Sequence, residues 1–233
     1  PENPLSWKFA GKSLLALGQL EKSQQCLAKA HQLDNKDPET IKDIGNIFNA
    51  MRNYTEATRL YKAALSIDEN YAPALNNLGL IAKQRGDLFA AEQLAQRACD
   101  LDQSFAPYHL NLGSIYHEIG QLDKALAFTI RSLELKPNYS DAHMNLGLIY
   151  SDLGELNQAT FYLREAIKNE KTHEKAATTL ALIYYCTNKY IDGIEVISDI
   201  CSQKSGNLLL SFYLCLNDKH NFNRCAEDLI SKG

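Results

Sequence analysis

The sequence is poor in the features that carry chemistry by themselves. It holds one tryptophan, two methionines and six cysteines in 233 residues. None of Cys26, Cys99, Cys186, Cys201, Cys215 and Cys225 forms a C-x-x-C pair, and their spacing resembles neither a zinc site nor a disulfide framework. Several fall where a helix would face a neighbour and a free thiol acts as a small hydrophobe, so a reducing, cytoplasmic setting is expected. No apolar run approaches the roughly 20 residues needed to span a bilayer, nor is there a charged-then-apolar leader, so no membrane contact is expected. Charge is nearly balanced, 24 basic against 28 acidic residues for a net −4, which gives no basic field for nucleic acid. Nucleophile-elbow, Walker and dinucleotide patterns are all missing. The sequence alone therefore predicts no enzyme, no cofactor and no metal. It opens on Pro1 rather than methionine, which reads as a piece of a longer protein.

What the chain does have is a period. Gly11, Gly45, Gly79, Gly113 and Gly147 lie 34 residues apart, and the next step lands on Ala181. A glycine inside a helix costs roughly 0.5–1 kcal/mol relative to alanine. Five such losses in register need one compensation, and close approach of two helices supplies it. Fixed-period self-similarity is the signature of a stacked repeat array. With the glycine at position 8, repeats begin at Pro4, Pro38, Ala72, Ala106, Ser140 and Glu174, with a shorter seventh near Gly206. The expected architecture is all-α: one domain over residues 1–233, each repeat two helices of about 14 residues and a tight turn.

Individual residues support this reading. Asp37-Pro38 suits a helix start, with Asp37 as cap and Pro38 in the first turn. Second helices carry small residues at i, i+4, i+7, as in Ala57/Tyr61/Ala64, Ala91/Ala95/Ala98 and Ala125/Thr129/Ser132. Turn signals fall at Arg85-Gly86-Asp87 and Leu153-Gly154-Glu155. The sixth repeat replaces the second-helix alanine with Gly193, and the seventh is anchored by Phe212, Leu216, Phe222 and Leu229.

The best single copy of the pattern is His143-x2-Leu146-Gly147-x2-Tyr150, followed by Ala159 and Leu163, with Pro137 closing the repeat before. These residues resemble the tetratricopeptide repeat (TPR), whose pattern is W-x2-L-G-x2-Y, A-x3-F and P. The resemblance implies a right-handed superhelical solenoid of about seven helix-turn-helix units. It also implies that first helices line a concave groove for protein or peptide ligands.

The groove candidates follow from the resemblance. Asn77, Asn111 and Asn145 share position 6, with Asp43 before them in register. A carboxamide offers donor and acceptor together, so asparagines at a constant rise suit a peptide backbone. The run resembles the asparagine ladder in the array that precedes the catalytic domain of O-linked N-acetylglucosamine transferase. Lys42, Asn46, Asn49, Asn76, Lys83, Ser114 and His117 complete the expected groove, and Met144, Ser151 and Tyr185 continue it. A carboxylate clamp is only half supplied, since Pro107 and Asn111 stand where lysine and arginine are wanted. His109 and His143 are read as packing residues, and Tyr116, Tyr150 and Tyr184 as core. The expected function is a scaffold that binds an extended peptide or partner helix. The alternative is the substrate-recruiting arm of a larger enzyme such as a glycosyltransferase. Self-association through the polar end repeats is a third possibility.

Overall fold

The computed structural model describes residues 3–169, 174–198, 203–218, 220–221 and 224–226. Cys201, Phe222 and Leu229 lie outside the described residues. Among the described residues, the chain forms helices and no strand. They are α1 (Pro4–Ala16), α2 (Leu20–Leu33), α3 (Pro38–Ala50), α4 (Tyr54–Ile67), α5 (Ala72–Gln84), α6 (Leu88–Leu101) and α7 (Ala106–Ile119). There follow α8 (Leu122–Leu135), α9 (Ser140–Asp152), α10 (Leu156–Asn169), α11 (Glu174–Cys186), α12 (Tyr190–Ile197) and α13 (Gln203–Cys215). First helices therefore begin at the expected register. The chain divides into two compact bodies, Pro1–Ile119 and Gly120–Gly233, each described by itself.

Local chemistry starts the helices. Asn3, Asp37, Asn53 and Asp87 each accept a first-turn N–H with a side-chain oxygen, at 2.9–3.2 Å, which satisfies one of the orphan donors. Proline occupies the first turn of α1, α3 and α5, where no N–H is needed. In the N-terminal body each pair closes through a three-residue turn whose middle residue is left-handed. Gly18 and Gly86 take φ 72° and 79°, and Arg52 takes φ 60° at the same register. The turn closes alike with either residue: Asn53 N–H reaches Phe48 O at 2.8 Å, and Asp87 N–H reaches Ala82 O at 3.0 Å. In the C-terminal body Gly154 and Asn188 repeat this conformation.

The periodic glycines sit where a second helix arrives. A Cβ on Gly45 would lie 2.6 Å from the Tyr61 ring, and one on Gly147 would lie 2.5 Å from Leu163 Cγ. At Gly79 the facing residue is Ala95, and the nearest atom to an added Cβ is the Ala91 carbonyl at 3.3 Å. The same layer holds Ser23 in the first repeat, fully buried, with its hydroxyl donating to Gly11 O at 2.8 Å. Each body has its own core. The N-terminal one gathers Ile41, Ala57, Tyr61, Ala64, Leu78 and Ile81. The C-terminal one has one cluster of Ala159, Leu163, Leu180, Ile183 and Tyr184 and a smaller one of Ala181, Ile197 and Phe212. Gly193 meets Phe212 in the smaller cluster, where a Cβ would come within 2.1 Å of the ring.

Cysteine placement is more varied than the expected inter-helix positions. Cys99 is buried, but Cys186 and Cys215 are exposed. The repeat position alone does not decide which face of a helix end is covered. No helix among the described residues is long and apolar enough to cross a membrane.

Candidate functional site

The first helices of the N-terminal body are joined by their polar residues. Asp43 on α3 is 3% exposed, and the Lys42 ammonium and the Asn46 amide, the latter at 3.4 Å, both donate to its Oδ1. Asn46 Oδ1 in turn accepts from the Tyr61 hydroxyl at 2.9 Å and from Asn77 on α5 at 2.8 Å. Asn77 Oδ1 accepts from Asn76 at 3.3 Å, and Asn76 Oδ1 accepts from Asn111 on α7 at 2.9 Å. The carboxamides thus form one directed chain, Asn111 to Asn76 to Asn77 to Asn46, ending on a carboxylate. Bonds running one way polarise each other in low dielectric, and the carboxylate with its lysine anchors the negative end. Burial pushes the Tyr61 pKa well above its ordinary 10, with a hydrogen bond from Asn77 partly opposing, so the phenol stays a donor.

A second polar station lies at the C-terminal ends of the same helices. Lys83 Nζ donates to Ser114 Oγ at 2.6 Å and pairs with Glu118 at 3.2 Å. Beside it is a cavity of about 250 Å³ lined by Asn49, Leu80, Ile81, Lys83, Gln84 and Glu118. Asn49 Oδ1 is buried without a hydrogen-bond partner.

Asn46, Asn77 and Asn111 are therefore brought together, and Asn49 joins Lys83 at the cavity. Lys42 and Lys83 are matched by Asp43 and Glu118, so the two cations expected in the groove carry internal counter-charges. His117 is half-buried on α7, and Asn145 is half-buried on α9 in the other body. Tyr61 and Glu118 were not legible as members of these polar contacts. Tyr61 belongs to a second helix and reads as core, while Glu118 sits one position past the groove register of Lys83. Both histidines at position 4 meet backbone carbonyls: His109 Nε2 lies 3.0 Å from Gln103 O, and His143 Nδ1 lies 3.2 Å from Tyr139 O. Burial holds the His143 pKa below 6.5. Near it Tyr150 and Tyr162 stack with centroids 5.4 Å apart and planes 1° off parallel, an aromatic packing layer.

Family models for the tetratricopeptide repeat match residues 73–101, 113–154 and 140–173, the middle one described as TPR repeat. The repeats in these stretches, under half of the chain, match the tetratricopeptide-repeat family. Among curated proteins no sequence matches the chain. Solved tetratricopeptide-like folds do. A chain of the APC/C hetero-tetramer Cut9–Hcn1 superposes with a TM-score of 0.82 at 18% identity, covering 90% of this chain. The chain spans only 42% of that protein's length. PilW, described as a widely conserved type IV pilus biogenesis factor, gives 0.78 at 17% identity and covers 88% of this chain and 98% of its own. YrrB, described as a TPR protein with an unusual peptide-binding site, gives 0.55 at 22% identity, covering 81% and 93%. At these identities the likeness shows the tetratricopeptide fold.

Proposed function

We propose that the protein is a protein–protein interaction scaffold whose N-terminal body binds an extended peptide along α3, α5 and α7. The hydrogen-bonded asparagine chain carries this reading. It holds carboxamides on three successive first helices in fixed rotamers, which lowers the ordering cost of binding. It also spends the carbonyl oxygens of Asn46, Asn76 and Asn77 internally, while the amides of Asn46, Asn76 and Asn111 each keep a second N–H. What remains is a row of donors, matched to the carbonyls of a peptide backbone. Each such bond nets ~0.5–1.5 kcal/mol, whereas micromolar affinity needs ~8 kcal/mol, so apolar contacts such as Leu80 must add to it. Asn145 is the candidate of the C-terminal body.

The test is selection from a randomised peptide display library, followed by anisotropy titration of the selected peptides. Asn77→Ala and Asn111→Ala should each weaken binding about 2- to 10-fold, whichever side chains the peptide carries, while helicity by circular dichroism is retained. Asn145→Ala is measured separately. Unchanged affinity in the first two variants would place the binding face elsewhere.

A further inference from the structure

The cavity at the ends of α3, α5 and α7 has a more definite chemistry than the rest of the face. Lys83 has three N–H groups, of which Ser114 and Glu118 engage two. The third is free to donate. Asn49 lines the same cavity, and its Oδ1 is a buried acceptor with no partner. Such acceptors are rare in native proteins because desolvation is not recovered. The charge is already balanced by the Lys83–Glu118 pair, so an ionic occupant would be left uncompensated. The walls contributed by Leu80 and Ile81 are apolar.

We propose that this cavity is a subsite for a primary carboxamide, the side chain of a glutamine or asparagine in the bound peptide. The occupant's N–H donates to Asn49 Oδ1, its carbonyl oxygen accepts from Lys83 Nζ, and its methylene stem lies on Leu80. A carboxylate offers nothing to Asn49 and competes with Glu118. An ammonium offers no acceptor to Lys83 and is repelled by it. The biological occupant rests on the peptide-binding reading above, but the subsite itself can be tested without a peptide.

The test is a titration of the whole chain with propionamide, propionate and propylammonium, followed by NMR of the Asn49 side-chain amide and the Leu80 methyls. A ligand of so few atoms binds in the millimolar range at best. Propionamide should shift both probes saturably, and the two charged analogues should not. Asn49→Leu should abolish the response without lowering the thermal midpoint, because it removes an unpaired buried acceptor. Lys83→Met, which keeps the stem and loses the donor, should weaken it and serves as the second variant. No saturable shift, as for a cavity that only holds water, overturns the proposal. So does an equal response to either ion, or an undiminished response in both variants. If propionamide binds as expected and no displayed peptide does, the subsite stands and the peptide-binding reading falls. If peptides are selected without glutamine or asparagine enrichment, the subsite falls and the scaffold reading stands.

Discussion

Replacing a periodic glycine by alanine should cost stability at Gly147 and almost nothing at Gly79. At Gly147 the new methyl would sit 2.5 Å from Leu163 Cγ, 2.7 Å from Cδ2 and 3.3 Å from the Leu163 nitrogen. Ordinary carbon contacts lie at 3.5–4.0 Å, so the leucine must move by about 1 Å in a layer where it is fully buried. Overpacking of this kind costs ~1–3 kcal/mol, and the helical gain of alanine over glycine returns ~0.5–1 kcal/mol. The net expectation for Gly147→Ala is a loss of about 1 kcal/mol, within a range of ~0–2.5 kcal/mol. At Gly79 the nearest atoms are 3.3–3.5 Å away, so a shift of a few tenths of an ångström suffices. Gly79→Ala should stay within ~0.5 kcal/mol of neutral, the helical gain roughly offsetting the squeeze. The two effects are separated by hydrogen exchange in α9–α10 and in α5–α6, which reads local stability without assuming that a repeat protein unfolds in one step. The double variant Gly147→Ala/Leu163→Ala sharpens the test. It rebuilds the Gly79–Ala95 spacing with a methyl added, so Gly147→Ala should cost ~1 kcal/mol less in that background than alone. Equal losses at the two glycines, or strict additivity at Gly147 and Leu163, would refute the close-approach argument.

Other outcomes follow from particular contacts. Arg52→Gly should raise the urea midpoint by the equivalent of ~0.5–1 kcal/mol, because the left-handed turn strains any side chain, while Gly86→Ala should lower it. Lys12 and then Lys8 hold the Glu39 carboxyl below its ordinary 4.5. Burial pushes Asp37 up, but hydrogen bonds from Thr40 and Lys8 outweigh it and leave it below 3.8. Their stabilisation is therefore complete above those ordinary values and disappears as the pH falls through the lower folded ones. Urea midpoints taken from about pH 6 to about pH 3 should fall less steeply for Glu39→Gln than for the unaltered chain. Burial pushes the Cys99 thiol up to about 12, so iodoacetamide should label exposed Cys186 and Cys215 in the native protein and Cys99 only after unfolding.

The period, the helix boundaries and the close-approach glycines were legible in the sequence because each is a local pattern repeated in register. Asp37 as a cap and Gly86 at a turn need only their neighbours to be understood. Arg52 and Asn188 escaped notice at the turn register, since neither residue type announces a left-handed conformation as glycine does. The polar network was legible in part. Position 6 picked out Asn77 and Asn111, but their bonds run to Asn46 and Asn76 on adjacent helices, and no repeat-internal pattern encodes that. Whether a lysine is spent internally is equally invisible until Glu118 is seen beside Lys83.

The two kinds of contact differ in how they survive copying. A glycine and the bulky side chain it admits, such as Gly147 and Leu163, lie within one 34-residue cassette. Duplicating the cassette duplicates the fit, so the array can lengthen without losing cohesion. The asparagine bonds join residues 31 and 35 apart, Asn77 to Asn46 and Asn111 to Asn76, and so cross cassette borders. Inserting a repeat between them would leave the stacking whole and cut the polar row. In this protein the glycine fit is a property of each cassette, while the polar row depends on the order in which three of them are strung.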